Sequence, residues 1–287
     1  AANAGAWGVK FQYRSKDNFY NAVEEIGDEI ISQELERSYL SPDEILTLTR
    51  EAKVKGLNAG ISFFRFSDSE DFDGSLTEFD FFKVPSAELL NFDLINSLAE
   101  INRTIIISTG GHDQIAIGNA VNRTRHIPGV VYLHCISNYP VLLGNQQLLF
   151  IKTLADMAGT PVGYSSHDQD WEVCLLAVAN GAEYIERHLT LDKHGSGLDD
   201  SSSSDPDEFR KLCKFMNAYA GIQGKGDRQV NQGELINMQN LGTSLYAQRD
   251  IQAGGTVDLS NCAVRSPRKG LTLSELESRP SRILERP

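Results

Sequence analysis

The sequence predicts a parallel α/β fold, in its closed form a (β/α)8 TIM barrel, followed by a small β-rich domain. Two observations carry this expectation. A helical stretch, a glycine and a short apolar run recur along residues 1–222, and polar residues gather just beyond those apolar runs. Glycine terminates helices, and short Val/Ile-rich runs suit strands buried on both faces. Strands alternating with helices imply parallel βαβ units. An open doubly wound sheet is the alternative that the same pattern allows.

Taken in order, Ala1–Ala4 and Gly5 lead into a strand at Gly8–Gln12, and Pro42–Lys55 with Gly56 leads into Gly60–Phe64. Phe81–Val84 is the third apolar run, and the helix-like Phe92–Ile101 precedes the fourth at Ile105–Ser108. Gly129–Leu133, Pro161–Tyr164 and Glu183–Ile185 complete seven. A closed barrel needs eight. The chain opens on what reads as a helix end, so the first strand is expected to be missing from this sequence. After Gly221 the texture changes: 223–242 reads as a polar linker, and 243–287 as a β-rich module with strand, turn and strand over Ser244–Leu259. Ser196–Asp205, rich in serine and aspartate, reads as either a linker or an active-site lid.

The 287 residues are 40% hydrophobic and 23% charged, enough for one large core. The net charge of −12 argues against nucleic acid or an anionic membrane surface as partner. No run approaches the ~18 apolar residues of a membrane span. No leader pattern is legible, and the four cysteines show no CxxC spacing, so a cytoplasmic protein with reduced thiols is expected.

In a parallel barrel the strand C-terminal ends share one mouth, which holds the site. The residues placed there are Lys10, Gln12, Ser62, Lys83, Ser86, Ser108, Thr109, His134, Ser137, Asn138, Tyr139, Ser165, Ser166, His167, Glu186 and His188. His167 and His188 end successive strands, and paired imidazoles suit a divalent cation with coordination positions left open. Polar surface is the plainer reading of each. Glu186 shares a strand face with His188 and could equally be a salt-bridge partner. Lys10 and Lys83 lie within apolar strands, where an ammonium must meet an anion of the protein or of a ligand. Ser108-Thr109-Gly110-Gly111 has the makings of a small phosphate cradle.

Several segments carry a resemblance to a known family. Leu133-His-Cys-Ile-Ser-Asn-Tyr-Pro140 is similar to the HCTSNYP signature of sialic acid (N-acetylneuraminate) synthases, and Val162-Gly-Tyr-Ser-Ser-His167 resembles their GYSDH. Ala179–His188 resembles ALGAxxIEKH, Val9–Gln12 matches VKFQ, and Lys83-Val-Pro-Ser86 resembles KIAS. Ser244–Ile251 resembles the start of an antifreeze-like (SAF) domain, and the texture near Leu40-Ser-Pro-Asp-Glu44 resembles the spore-coat polysaccharide synthase branch.

The resemblance implies a transferase that condenses phosphoenolpyruvate with an N-acylated sugar aldehyde, N-acetylmannosamine or a relative, giving a nonulosonic acid and phosphate. It implies a divalent metal, Mn2+ or Mg2+, on His167 and His188. Lys10, Lys83, Ser108, Ser137 and Ser165 match positions for phosphoenolpyruvate; Gln12, Tyr139 and Asp199 match positions for the sugar. Lys10, Glu186 and Asp199 are the candidate catalytic residues, and a homodimer with exchanged SAF domains is expected. The family's GPDHxAS becomes Gly197-Leu-Asp-Asp-Ser-Ser-Ser203, with Asp200 at the histidine position. An early acidic segment has no counterpart, and the threonine of STPFD has no clear match in Ile61–Arg65. These departures fall on the sugar side, leaving open another nonulosonic or surface-polysaccharide synthase. A metal-dependent barrel hydrolase or aldolase, and a binding protein without turnover, are the other classes.

Overall fold

Seven short strands hydrogen-bond side by side in chain order among the described residues: β1 (Gly8–Gln12), β2 (Asn58–Ser62), β3 (Phe81–Val84), β4 (Thr104–Ser108), β5 (Val130–Cys135), β6 (Gly163–Ser166) and β7 (Tyr184–Arg187). All six pairings are parallel. The computed structural model describes residues 1–15, 34, 36–279 and 282–283. Leu35 of the Glu34-Leu-Glu-Arg37 stretch, which belongs to the same spore-coat-like texture as Leu40–Glu44, lies outside them. By contacts the chain forms two units, Ala1–Ile222 and Gln223–Pro287.

The helices between strands begin and end where the sequence dictates. Ser41 caps α1 (Pro42–Val54) in a reciprocal box: its hydroxyl accepts from Glu44 N, and Ser41 N donates to Glu44 Oε2 at 2.8 Å. Proline in the first turn has no N–H to leave unpaired. Asn91 caps α2 (Phe92–Ala99), and Asp113 caps α3 (Gln114–Thr124) through a 2.8 Å bond from Ala116 N. α4 (Phe150–Ala158) stops at Gly159, whose φ of 66° suits glycine. α5 (Val173–Ala179) and α6 (Pro206–Gln223) complete the layer.

The pairing register sorts the strand residues onto two faces. One row runs through Phe11, Ile61, Phe82, Val84, Ile105, Ile107, Tyr132, Tyr164 and Ile185; these pack into the main core with Ile45, Leu94, Leu98, Ile117, Ile151 and Leu154 of the helices. The opposite face buries a small cluster of Phe81, Ile106, Val131 and Leu133. Beyond that plug, the same face turns polar at the strand C-terminal ends. Lys10 of β1 lies 3.0 Å from Glu186 of β7, so the sheet curls until its outermost strands face each other across the mouth. Two extended side chains bridge a space wider than the roughly 4.8 Å between paired strands.

Close packing inside the curl requires glycine at two positions. A Cβ on Gly163 would sit 2.6 Å from Leu133 Cδ2 and nearer still to the Tyr184 carbonyl oxygen. On Gly60 it would strike the Phe81 ring. Gly163→Ala is therefore expected to destabilise by about 1–3 kcal/mol, the usual cost of overpacking. Thermal melting checks this, and an unchanged midpoint would contradict the packing described.

Several sequence-based boundaries shift. β2 starts at Asn58 rather than Gly60, because it pairs residue for residue with β1 from Gly8↔Asn58. β5, β6 and β7 each end two residues further along than expected. Within the stretch expected to be linker, α7 (Gln232–Leu241) forms behind an Asn231–Glu234 capping box. In the second unit β8 (Ser244–Ala247) pairs antiparallel with β9 (Cys262–Arg265), so the second strand begins just beyond the expected Leu259. α8 (Leu273–Glu277) follows. Among the described residues no helix is long and apolar enough to cross a membrane.

Candidate active site

Side chains alternate along a strand, so every second residue of each strand end faces the mouth. Lys10, Gln12, Ser62, Lys83, Ser108, Cys135, Ser165 and Glu186 lie on one face by register, and His188 continues it beyond β7. His134 and Ser166 were expected at the mouth, but they fall on the outer face. The His134 ring packs against Phe150 and Tyr164, and its Nε2 donates to the Gln146 carbonyl at 2.6 Å. Thr109 also turns away, donating to Leu133 O at 3.0 Å.

Glu186 holds the centre. Its Oε1 meets Lys10 Nζ at 3.0 Å, and its Oε2 lies 3.7 Å from Lys83 Nζ. Burial opposes its charge, yet Lys10 and Lys83, with a bond from Ser165, hold its carboxyl far below the usual range. Lys83 is 3% exposed and donates to Ser108 Oγ at 2.7 Å and to Val84 O at 3.1 Å. Burial pulls its ammonium down to about 8, with Glu186 opposing and Lys10 adding to the fall. The anion that both lysines meet is a carboxylate of the protein, and they meet it at the mouth.

Beside Lys83, the ends of β3, β4 and β5 form a cradle. Gly110 N donates to Ser86 Oγ at 3.0 Å, and His112 Nε2 reaches the Ser86 carbonyl at 3.0 Å. A Cβ on Gly110 would lie 2.9 Å from Ser86 Oγ, 3.1 Å from Cys135 Sγ, and closer to Ser137 Oγ. The absent side chain leaves hydroxyls, a thiol and the Lys83 cation around one small space, which is the donor set an oxyanion needs.

His167 and His188 come together as expected, with ring centroids 5.4 Å apart. Metal–nitrogen bonds of about 2.1 Å would set two rings on one ion roughly 5 Å apart. His167 Nδ1 faces the Ile136 carbonyl at 3.1 Å; a carbonyl only accepts, so Nδ1 carries a proton, and in the neutral ring Nε2 keeps its lone pair. His188 Nδ1 lies 3.5 Å from Asp199 Oδ2, and with its proton on that side Nε2 is available in the same way. Burial, reinforced by Lys10, brings His188 down to about 4, so it is neutral at pH 7. The two donors fit a divalent ion that completes its shell with water and substrate oxygen. Among the described residues no group of three or more histidine, cysteine or acidic side chains is arranged to hold a metal.

Two of the remaining candidates, Tyr139 and Asp199, lie against this pair. Tyr139 is half exposed, with its ring centroid 4.2 Å from that of His167. Gln12 is exposed at the end of β1. Asp199 precedes a single 3-10 turn, Asp200–Ser202, in a segment that is folded rather than linker-like: Ser202, Ser203 and Ser204 are buried. Asp200 is committed within that segment, accepting from Thr190 Oγ1 at 2.7 Å and from Gly197 N at 2.8 Å. Sequence reasoning missed Cys135, grouped with three ordinary cysteines. Its thiol lies 3.8 Å from His167 Nδ1 and 3.5 Å from Ser86 Oγ. Burial raises it, but His167, Ser86 and Lys83 bring it below its ordinary value. Its place two residues after the inward Leu133 was the available signal.

A family model described as "NeuB family" matches residues 1–228. The chain belongs to the NeuB family. It is 32% identical over 200 residues to the N,N'-diacetyllegionaminic acid synthase of Campylobacter jejuni, covering 68% of this chain and 60% of that protein. The N-acetylneuraminate-9-phosphate synthase of Mus musculus is 30% identical over 187 residues, covering 64% of this chain and 52% of its own. The matched region thus spans about half to three fifths of these relatives' length. Among solved structures, the sialic acid synthetase of Leptospira borgpetersenii, crystallised with citrate, aligns with a TM-score of 0.69 at 28% identity over 82% of this chain and 81% of that one. The spore coat polysaccharide biosynthesis protein spsE of Bacillus subtilis aligns with a TM-score of 0.65 at 24% identity, covering 96% and 81%. That last likeness speaks for the fold alone.

Proposed function

We propose that this chain carries the condensing site of a nonulosonic acid synthase, joining phosphoenolpyruvate to an N-acylated sugar aldehyde and releasing phosphate. One observation carries the reading: two lysines on a half-buried carboxylate lie on the same sheet face as two histidines whose ring centroids stand 5.4 Å apart. NeuB-family relatives named as legionaminic acid and sialic acid phosphate synthases support it.

In this reading C3 of phosphoenolpyruvate bonds to the aldehyde carbon, water adds at C2, and phosphate leaves by C–O cleavage. Lys10, Lys83, Ser108, Ser137 and Ser165, with Ser86 and Gly110 N, hold the phosphate and carboxylate. Preorganised cations facing a multiply charged substrate stabilise charge without reorganising. Glu186 is ionised between its lysines, so it has no proton to give at neutral pH; it keeps both ammonium groups extended into the mouth. A divalent ion, Mn2+ or Mg2+, on His167 and His188 would supply Lewis-acid polarisation of the aldehyde oxygen. Tyr139 and Asp199 lie against the histidine pair and Gln12 ends β1 on the same face, and these three would orient the sugar. Asp200, bound up within its own loop, does not reproduce a sugar-facing histidine, which favours an acceptor other than N-acetylmannosamine.

The second unit, with its antiparallel β8–β9 pair, is proposed as a SAF-type domain, and the protein as a homodimer that exchanges it; light scattering on the active protein would show a monomer if that is wrong. The activity itself is tested by phosphate release from phosphoenolpyruvate with manganese and a panel of N-acylated hexosamines. Release is expected only when both substrates are present. Phosphate release without sugar, or hydrolysis of unrelated esters, would replace the synthase with a hydrolase.

A further inference from the structure

We infer that Arg187 is a positioning residue that latches the Asp199-bearing loop to the two histidine-bearing strand ends. The inference rests on His167 and His188 as the metal donors, and goes beyond it to what holds them in register. Arg187 precedes His188 and Asp168 follows His167, so both lie on the face opposite the mouth. Both are buried, Arg187 at 9% and Asp168 at 1% exposure.

A cation in that position needs several acceptors, and its fork finds them. Nη1 donates to Ser166 Oγ at 2.6 Å, and Nη2 donates to the carbonyls of Asp168 at 2.9 Å and Gln169 at 3.3 Å. Ser166 Oγ in turn donates to Asp168 Oδ2 at 2.8 Å, where Tyr164 OH also donates at 2.7 Å. The serine hydroxyl thus relays between the buried cation and the buried carboxylate. These contacts tie the end of β7 to the end of β6, one residue behind each histidine.

The remaining donor points elsewhere. Arg187 Nε donates to Ser204 Oγ at 2.6 Å. Ser204 closes the excursion that leaves β7: its N donates to His188 O at 2.9 Å, Thr190 N donates to its carbonyl at 3.0 Å, and Leu189 bridges to it in parallel. Asp199 lies within that excursion, 3.5 Å from His188 Nδ1. One guanidinium therefore fixes the spacing of the two imidazoles and the base of the loop whose carboxylate orients the second. Outer partners of metal-binding histidines commonly change metal affinity 10- to 100-fold.

Two variants divide the roles. Arg187→Gln removes both arms, and Ser204→Ala removes only the loop arm. Manganese binding is titrated by electron paramagnetic resonance without substrates, alongside thermal melting and mass-spectrometric rates of tryptic cleavage after Lys193 within the loop. Arg187→Gln is expected to weaken manganese binding about 10- to 100-fold. Ser204→Ala is expected to keep manganese affinity within about twofold and to speed cleavage after Lys193 about tenfold, the scale of one lost charge-assisted bond. Arg187→Lys, which keeps the charge but not the fork, is expected to fall between wild type and Arg187→Gln, and serves if the glutamine variant fails to fold. Unchanged manganese affinity in folded Arg187→Gln or Arg187→Lys would overturn the inference, as would a Ser204→Ala protein with a lower melting point but unaltered loop cleavage. Absence of manganese binding in the wild-type protein would sink the metal reading as well; intact wild-type binding with insensitive variants would sink this inference alone.

Discussion

Replacing His188 with alanine is expected to lower turnover by at least about a thousandfold while leaving the melting temperature near that of the wild type. The side chain continues the inner face beyond β7; its described contacts are the His167 ring and Asp199, neither part of the main core. Little packing is lost with it. The proposed function loses one of two imidazole donors, and Lewis-acid assistance is worth several kcal/mol, with each 1.36 kcal/mol a factor of ten in rate. Steady-state phosphate release at saturating manganese, with circular dichroism on the same sample, checks both halves. Full activity at saturating manganese would remove His188 from the site. Equal losses of activity and melting temperature would make it a structural residue.

The strands were legible because each is a short apolar run after a helix-ending glycine, a pattern set by local chemistry. Their faces were less so. Placing every polar residue after each run at the mouth put His134 and Ser166 beside Ser165 and passed over Cys135, although alternation turns Cys135 and Ser165 inward and the other two outward. The phase of that alternation depends on register with the neighbouring strand, and register is a tertiary fact. Lys10 and Lys83 announced themselves, since an ammonium within an apolar strand demands an anion. That one carboxylate serves both could not be read from spacing, because Lys10 and Glu186 lie on the first and last strands and meet only when the sheet curls. Cys135 was hidden by its type: a scattered cysteine reads as a small hydrophobe until its neighbours are known. The loop Ser196–Asp205 kept its two readings open for a similar reason. Its serines look like low complexity, and only the burial of Ser202, Ser203 and Ser204 and the bond from Arg187 to Ser204 show that they are folded in.

Lys83 offers the sharper test of function, because stability and activity should move apart. Its ammonium is buried against Ser108 Oγ and near Glu186, and stands at about 8 rather than the ordinary 10.5. Between those values the unfolded chain holds the proton that the folded chain has released, so this group makes stability rise with pH across that window and weighs against folding below it. Lys83→Met keeps the length of the side chain and removes the buried charge. The variant should melt at or above the wild-type temperature at pH 7, as buried ionic groups replaced by apolar ones often do. Lys10 remains to neutralise Glu186 at 3.0 Å. Anion binding should suffer instead: losing one desolvated, charge-assisted contact costs about 2–5 kcal/mol, which raises the KM for phosphoenolpyruvate about a hundredfold. The pH profile separates this from indirect damage. In the wild type that KM should climb about tenfold per unit above pH 8 as Lys83 loses its proton, whereas in Lys83→Met it should stay level over the same range. A Lys83→Met protein that melts early while keeping its KM would show the lysine to be a core ion pair, and the cradle around Gly110 would then lack the cation that makes it an anion site.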